Sequence, residues 1–178
     1  MNPMAHLVHL LQEQNCWQDT IQLSRNELLV MPGSTHTHLY YVVKGSLRVY
    51  VVEEYEEHTI RFGYRNNLIT ALDSFLTGAP TDFYIQALKA TELRMIPKSA
   101  FMTFVKSDPA YAELWQQLLE AFVFQLMERE RDILTTSPYE RYQRVLQRSP
   151  QLFQEIPHKH IASYLRMTPE TLSRIKKS

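Results

Sequence analysis

Apolar residues recur at helical spacing near both ends of the chain and in short, strand-like runs between them. Leu7, Leu10 and Leu11 share one side of a helix predicted over 4–14. Between residues 20 and 97 the runs are rich in β-branched and aromatic residues, and the four glycines of the chain punctuate them. The predicted strands are 21–30, 38–43, 46–52, 58–64, 83–87 and 92–96. Short strands at this spacing predict a small barrel or roll.

A short helix over 99–106 and then a long helix are predicted directly after this stretch. Asp108 can cap the long helix and Pro109 suits its first position, because a missing N–H there needs no partner. Helical spacing continues to about residue 134, so some 26 residues would span roughly 40 Å. The apolar positions are Tyr111, Leu114, Trp115, Leu118, Leu119, Phe122, Val123, Leu126, Met127 and Ile133. They form two stripes, so we expect one to pack on the roll and the other on a second copy of the helix, rather than both inside a monomer.

Helix signals follow at closer intervals after residue 136. Ser137 and Glu140 stand three apart, the spacing of a capping box, at the start of a helix that ends before Pro150. Residues 150–157 are predicted to be a connector. The last 21 residues, 158–178, then have the pattern of two short helices joined by a turn.

This terminal pattern predicts a helix-turn-helix. The inward positions are Ile161, Ala162, Leu165, Leu172 and Ile175, with Met167 in the turn. Thr168 can cap the second helix through its hydroxyl, and Pro169 suits its first position. Such a unit places the outer face of its second helix in the DNA major groove. That face carries Glu170, Ser173, Arg174 and Lys177.

Charge is divided unevenly along a chain whose formal net charge is zero. Residues 137–178 contain eight Lys and Arg against three Glu, a net charge of +5. Residues 1–136 contain 11 basic against 16 acidic residues, a net charge of −5. A basic end on an acidic body is typical of a DNA-binding module attached to another domain.

Several classes of protein and site are not expected. Cys16 is the single cysteine, which excludes a disulfide framework or a thiolate metal cluster within one chain. No run approaches the roughly 20 apolar residues of a membrane span, and the N-terminus lacks the pattern of a signal peptide, so we expect a cytoplasmic protein. Because no Ser-His-Asp set, Gly-rich phosphate loop or carboxylate pair is present, we expect neither an enzyme nor a cofactor.

Two motifs resemble the Crp/Fnr family of bacterial transcription regulators. The first is Pro-Gly at 32–33 followed by LYYVVKGSLRVY at 39–50, which is similar to the opening of the family's roll. The second is PETLSRI at 169–175, which is similar to its recognition helix. A short-tailed subgroup shares three segments with small changes: SFLTG at 74–78, IPHKHIASYL at 156–165 and TPETLSR at 168–174. The resemblance covers nearly the whole chain.

The resemblance implies an α+β fold with three parts. Residues 1–107 would form an N-terminal helix and a double-stranded β-roll, a jelly roll like that of cyclic-nucleotide-binding domains, which senses an effector. Residues 108–136 would form a long dimerisation helix, and 137–178 a helix-turn-helix DNA-binding domain. The implied function is a homodimeric, sequence-specific transcription regulator, whose partners would be double-stranded DNA, RNA polymerase and an unknown small-molecule effector.

DNA recognition would centre on the second terminal helix. In the family, residues matching Glu170, Ser173 and Arg174 contact bases. Arg174 can donate two hydrogen bonds to guanine, and Glu170, one turn earlier, can accept from cytosine or hold Arg174; the alternative is a surface ion pair. The predicted DNA-binding set is completed by Thr168, Lys159, Lys176 and Lys177, with the lysines on phosphates. Two such helices in a two-fold dimer imply an inverted-repeat operator.

Two departures from the family pattern matter. Thr81 and Asp82 stand where cyclic-AMP-binding members carry an Arg-Ser pair, and no Gly-Glu-Leu segment precedes them. An aspartate there would repel a phosphate, so cyclic AMP is not expected, although the pocket can hold another ligand. The candidate pocket residues are Thr81, Asp82, Tyr84 and Gln86. The second departure is Arg166, where such turns often have glycine; a left-handed residue there would cost about 1 kcal/mol.

Two other functions remain open at the level of sequence. His36 and His38 on a roll are similar to the metal-binding motif of cupin enzymes, but residues 39–45 contain no carboxylate and His58 is the one candidate for a further ligand. We therefore expect a solvent-exposed loop there and no metal. The other alternative is a ligand-sensing or protein-interaction module whose DNA-binding tail is vestigial.

Overall fold

The computed structural model describes residues 3–177 and joins a β-roll to a set of C-terminal helices. Met1, Asn2 and Ser178, which the predicted domains include, lie outside the described residues. The helices are α1 (Pro3–Glu13), α2 (Leu72–Thr77), α3 (Lys98–Ser107), α4 (Pro109–Leu134), α5 (Pro138–Arg148), α6 (Leu152–Glu155), α7 (His158–Tyr164) and α8 (Pro169–Ile175). The strands are β1 (Asp19–Leu23), β2 (Leu28–Val30), β3 (His38–Lys44), β4 (Ser46–Glu53), β5 (Glu56–Tyr64), β6 (Leu68–Ile69), β7 (Tyr84–Ala87) and β8 (Thr91–Pro97).

Within residues 3–177, the strands form the predicted roll as two antiparallel four-stranded sheets. Their orders are β1-β8-β3-β6 and β2-β7-β4-β5. Inward positions alternate along the strands, as Ile85 and Ala87 do on β7, and both are fully buried. The turn from β3 to β4 requires Gly45, whose φ is +96° and where a Cβ would lie 2.6 Å from the Ala90 carbonyl oxygen.

Some of the observed elements differ from the predicted ones by more than a residue or two at an end. The strand predicted over 21–30 is two strands, because Asn26 has a φ of 69° and the Glu27 N–H donates to the Ser24 carbonyl in a turn. The predicted connector 150–157 contains the short helix α6. Strand β6 and helix α2 were not predicted, since two residues and six residues respectively are too short to show a period.

The long helix α4 has one buried and one exposed apolar side. Asp108 caps it as predicted, accepting from the Ala110 N–H at 2.8 Å. Leu114 and Leu118 are buried with α1 and α3 beneath the roll, and Trp115 meets the Phe101 ring edge-on at 5.0 Å between centroids. On the opposite side lies what we call the exposed stripe of α4: Leu119, Val123, Phe124 and Met127, which border one surface depression.

Helices α5 to α8, here called the C-terminal helical unit, have their own apolar core. Ala162 of α7 and Leu165, the C-cap residue of α7, are fully buried. Leu172 of α8 is 1 % exposed. The core also contains Val145 from α5, and Phe62 from β5 joins it to the roll. The Ser137 hydroxyl accepts from the Glu140 N–H at 3.3 Å, which is the predicted cap of α5.

Candidate nucleic-acid interface

The turn between α7 and α8 is tight and contains a left-handed residue. Arg166 has a φ of 54°, as the sequence indicated for this position. The Arg166 N–H donates to the Ser163 carbonyl at 3.1 Å, and the Met167 N–H donates to the Ala162 carbonyl at 3.0 Å. These bonds satisfy carbonyls at the end of α7 and reverse the chain so that α8 crosses it.

A buried arginine on α5 holds this turn in place. Arg141 is 8 % exposed, and its guanidinium donates to the Leu165 carbonyl at 2.9 Å and to the Arg166 carbonyl at 3.2 Å. It also donates to the carbonyls of Thr135 at 2.6 Å and Thr136 at 3.1 Å, just after α4. One side chain therefore connects the end of the long helix with the helix-turn-helix, a role that sequence reasoning missed.

The outer face of α8 presents four of the predicted DNA-contacting residues together. Thr168 and Pro169 start the helix, and Leu172 anchors its inner face. The four residues Glu170, Ser173, Arg174 and Lys177 are exposed and border a single surface depression. The face thus combines one acid, one hydroxyl and two cations, which are hydrogen-bonding groups that can meet base edges and phosphates.

The remaining three predicted residues have different surroundings. Thr168 caps α8, because its hydroxyl accepts from the Thr171 N–H at 3.2 Å. The Lys176 ammonium lies 2.7 Å from His158 Nε2, at the start of α7. Lys159 is exposed on α7. Thr168 is therefore positioned mainly as a helix cap, whereas Lys159 is exposed on α7 and Lys176 lies at the C-terminal end of α8.

The C-terminal helical unit is docked on strand β5. The Ser163 hydroxyl donates to the Glu57 carbonyl and accepts from the Thr59 N–H, both at 3.3 Å. Arg166 contributes a second polar contact, with its Nη1 2.9 Å from His58 Nδ1. Nearby, the Tyr164 and Phe62 rings lie 5.4 Å apart. Main-chain and side-chain contacts thus fix α7 against the edge strand of the roll.

His160 lies buried at the same junction, facing an arginine of the roll. Its Nδ1 is 3.4 Å from Arg48 Nη1, while Arg48 forms an ion pair with Glu57 at 2.6 Å and donates twice to Gln86. Burial first, and then the charges of Arg48 and Lys159, lower the pKa of His160 to about 4. The imidazole is therefore neutral at pH 7 and can accept a hydrogen bond from Arg48.

Acidification is expected to destabilise the protein through His160. The pKa is about 4 in the folded chain against an ordinary value of 6.5, so the unfolded chain binds more protons between these values. The contribution of neutral His160 to the free energy of unfolding is fully present above pH 6.5 and is lost as the pH falls toward 4. We expect the free energy of unfolding to decrease by about 2 kcal/mol between pH 7.5 and 5 for this reason. Urea unfolding at both pH values, with His160→Gln against the exposed control His6→Gln, checks this. An equal pH dependence in the two variants would contradict it.

The ends of α4 and α5 are joined by a compact ion-pair network. Asp132 is fully buried and accepts from Arg144 Nε at 2.9 Å and from Arg148 Nη2. Glu128, one turn earlier, accepts from the same two arginines. Counting Arg141, three of the eight basic residues that make the tail positive are therefore engaged in contacts within the protein, and the positive charge left on the surface is smaller than the sequence total.

Comparison with known proteins identifies the family of the roll. Residues 20–108, half of the chain, match the family model described as cyclic nucleotide-binding domain. The chain belongs to the cyclic nucleotide-binding domain family. None of the curated proteins compared with this chain matches its sequence significantly.

Solved structures share the fold well beyond the cyclic nucleotide-binding domain. A CooA mutant from Carboxydothermus hydrogenoformans is 17% identical, with a TM-score of 0.73 over 96% of this chain and 82% of its own. FixK2 from Bradyrhizobium japonicum is 17% identical, with a TM-score of 0.73 over 89% and 82%. A CRP/FNR-family transcriptional regulator from Thermus thermophilus is 17% identical, with a TM-score of 0.63 over 88% and 83%. The α+β architecture is thereby confirmed, and the Crp/Fnr resemblance is confirmed as a likeness of fold.

The cyclic nucleotide-binding domain contains a mostly apolar cavity of about 290 Å³, here called the roll cavity. Its walls include Val49, Phe83 and Leu126, and its polar groups include Asp73 and Arg61. Leu126 belongs to α4, so the long helix closes one side of this cavity. Its position inside the roll makes it the candidate effector site of the domain.

The four predicted pocket residues do not line the roll cavity. Tyr84 and Gln86 alternate with the buried Ile85 and Ala87, so they point to the other face of β7. There Tyr84 stacks on Tyr50 at 4.8 Å, and Gln86 accepts from Arg48. Thr81 is buried and donates to the Asp73 carboxylate at 2.8 Å, and Asp82 is exposed, with its N–H 3.2 Å from the same carboxylate. Asp73 and Arg61, not the predicted four, bring charge to the cavity.

The candidate metal motif is not assembled with a third ligand. His36 Nδ1 is 3.3 Å from the Tyr40 hydroxyl, and the His36 and His38 rings lie 6.1 Å apart. His58 instead contacts Arg166 of the C-terminal helical unit. Among residues 3–177, no group of three His, Cys, Asp or Glu side chains is placed to hold a metal ion. In the same range, no helix has the length and apolarity that a membrane crossing needs.

Proposed function

We propose that this protein is a homodimeric, sequence-specific DNA-binding transcription regulator whose roll does not bind cyclic AMP. The observation that carries the proposal is the outer face of α8. Its four polar residues are exposed together, while Leu172 and the Arg141 hydrogen bonds fix the helix from behind. A helix held in this way can enter a major groove without reordering its own backbone.

Base reading is assigned to Arg174 and Glu170, and phosphate contact to the lysines. Arg174 can donate two hydrogen bonds to guanine O6 and N7, and Glu170 can accept from cytosine N4. Ser173, between them on the same face, can contact a base or a phosphate. Lys159, Lys176 and Lys177 are exposed on α7 and at the end of α8, and they would add affinity that does not depend on DNA sequence.

A homodimer through α4 is supported by the exposed stripe of α4. Val123, Phe124 and Met127 are each more than half exposed, which is unusual for large apolar side chains on one side of a helix. Two copies of the stripe facing each other would bury it around a two-fold axis. The two α8 helices would then read an inverted repeat, and RNA polymerase would be the second macromolecular partner at the promoter.

The absence of cyclic AMP binding is supported by the carboxylate at the predicted phosphate-binding segment, since Arg61, the one cation among the residues that line the roll cavity, comes from β5 and not from that segment. A cyclic phosphate needs a cation or a nest of N–H groups, and here Thr81 and the Asp82 N–H are both engaged by the Asp73 carboxylate. An anion at that place would meet Asp73 directly. The apolar walls suit an uncharged or weakly polar effector instead.

Arg174→Ala tests the proposed function most directly. After an operator has been selected from random DNA, this variant is expected to bind it about 10- to 100-fold more weakly, because a bidentate guanine contact is lost. Binding to random duplex is expected to change little. Lys177→Ala is the matched control. It removes a phosphate contact, so it should weaken binding to the operator and to random duplex by similar factors. The slope of the logarithm of the binding constant against the logarithm of the salt concentration should decrease in magnitude by about one.

Two outcomes would contradict the proposal. If Arg174→Ala weakened specific and random DNA binding equally, base reading by Arg174 would be wrong. If no operator could be selected at all, the tail would be vestigial and the protein would be a ligand-sensing or protein-interaction module.

A further inference from the structure

A second cavity lies where the roll, the long helix and the C-terminal helical unit meet. This junction cavity has a volume of about 210 Å³, and its walls come from α1, β5, β6, α4 and the segment from α5 to α7. The side chains that matter for its chemistry are Arg61, Tyr64, Phe122, Gln125, Arg148 and Tyr164. It is separate from the outer face of α8. It shares one lining residue with the roll cavity, Arg61, and both cavities are bordered by β5 and α4.

Arg61 brings an uncompensated positive charge to the junction cavity. Within residues 3–177 its guanidinium has no hydrogen-bond acceptor and no ion-pair partner, and it lies 5.6 Å from the Phe122 ring centroid. Arg61 is half-buried, and burial lowers the pKa of its guanidinium, which nevertheless stays protonated in proteins. A partly buried cation without a counter-ion favours an anion beside it.

The second arginine of the cavity differs, because its charge is already balanced. Arg148 is paired with Asp132 and lies 3.4 Å from Glu128. Arg61 therefore determines the sign of the ligand charge. Burial raises the pKa of Tyr64, so its hydroxyl remains protonated and can donate to an anion.

Apolar side chains form the rest of the wall and limit what the ligand can be. Phe62, Leu68 and Leu152 join Phe122 around the space. The volume exceeds the roughly 150 Å³ of an engineered cavity that takes up benzene, so a ring with one charged substituent is the right size. Inorganic phosphate would fill little of this volume and would leave the apolar wall without contacts.

We propose that the junction cavity binds a small organic carboxylate, with its carboxylate on Arg61 and its apolar body against Phe62 and Phe122. Such a ligand would contact the roll, α4 and the C-terminal helical unit at once. It would therefore stabilise their present arrangement, and it would act separately from any effector in the roll cavity.

Calorimetric titration of the full chain with benzoate and with benzamide tests the proposal. The two probes have nearly the same shape, but only benzoate is charged. We expect benzoate to bind at least about 10-fold more tightly than benzamide, since only the carboxylate can form the charge-assisted bond to Arg61. Arg61→Gln is expected to remove this preference, and Arg61→Lys to keep part of it. Thermal melts of both variants establish that they are folded.

A control variant and a crystal structure distinguish the two cavities. Leu76→Ala changes an exposed residue that lines the roll cavity and not the junction cavity, so benzoate affinity should remain within about twofold of the unchanged protein. A crystal structure with benzoate should place the ring beside Phe122 and Arg61. Three outcomes would overturn the proposal. They are equal affinity for benzoate and benzamide, an unchanged preference for benzoate in Arg61→Gln, and benzoate located in the roll cavity.

Discussion

Met127→Glu is expected to convert the proposed dimer into a monomer. Met127 is 61 % exposed in the single chain and lies on the exposed stripe of α4, next to Val123 one turn earlier. A two-fold interface would bury two such methionines, each contributing about 1.5–3 kcal/mol, and the variant would also place two carboxylates in it. Analytical ultracentrifugation should therefore show a dissociation constant raised by at least about 100-fold.

Operator binding should fall together with dimerisation, because a monomer reads only one half-site. Gln125→Glu is the matched control: it adds the same charge to an exposed residue of α4, but about 160° around the helix from Met127 and about 100° from Phe124. This control should remain dimeric and bind the operator normally. If Met127→Glu remained dimeric, the exposed stripe of α4 would not be the interface, and another surface would have to supply the two-fold axis.

Arg141→Ala is expected to be the most destabilising single substitution in the C-terminal helical unit. It leaves four carbonyl oxygens, at Thr135, Thr136, Leu165 and Arg166, without the donor that they share. Truncating one partner of a buried, charge-assisted network typically costs about 3–5 kcal/mol. Urea unfolding followed by circular dichroism measures this loss.

The exposed Arg131 of α4 provides the control for Arg141. Arg131→Ala removes the same side chain from the surface and should change the free energy of unfolding by less than about 0.5 kcal/mol. Arg141→Lys should lose most of the stability as well, because one ammonium cannot reproduce a planar fork over four carbonyls. If Arg141→Ala lowered the free energy of unfolding by no more than Arg131→Ala does, water would be able to replace the Arg141 guanidinium at these carbonyls, and the prediction would be wrong.

Local signals were strong enough to predict the helices that position the site. Asp108, Ser137 and Thr168 each accept from a backbone N–H in the first turn of the helix they precede, as their sequence positions indicated. The outer face of α8 was predictable because Leu172 fixes which side is buried, and a helix of known register has only one opposite side.

Contacts between residues far apart in sequence could not be predicted in this way. Arg48 and His160 are 112 residues apart, and each looks like an ordinary polar residue in its own segment. Arg141 likewise looks like one more exposed cation on an amphipathic helix. Tyr84 and Gln86 were predicted to line the pocket because they follow the expected phosphate-binding segment, but the strand alternation turns them to the opposite face of β7.

The continuity of α4 has a mechanical consequence. One helix of 26 residues runs from the packing beneath the roll, at Leu114, to the ion pairs of the C-terminal helical unit, at Asp132. A rigid rod of about 39 Å that tilts by about 5° at one end moves its other end by about 3 Å. This displacement is close to the rise of about 3.4 Å between neighbouring base pairs. If the protein binds DNA as the proposed two-fold dimer, a small change in how the roll holds α4 would alter the separation of the two α8 helices by a base-pair step or more, and the preferred distance between half-sites would then depend on the roll.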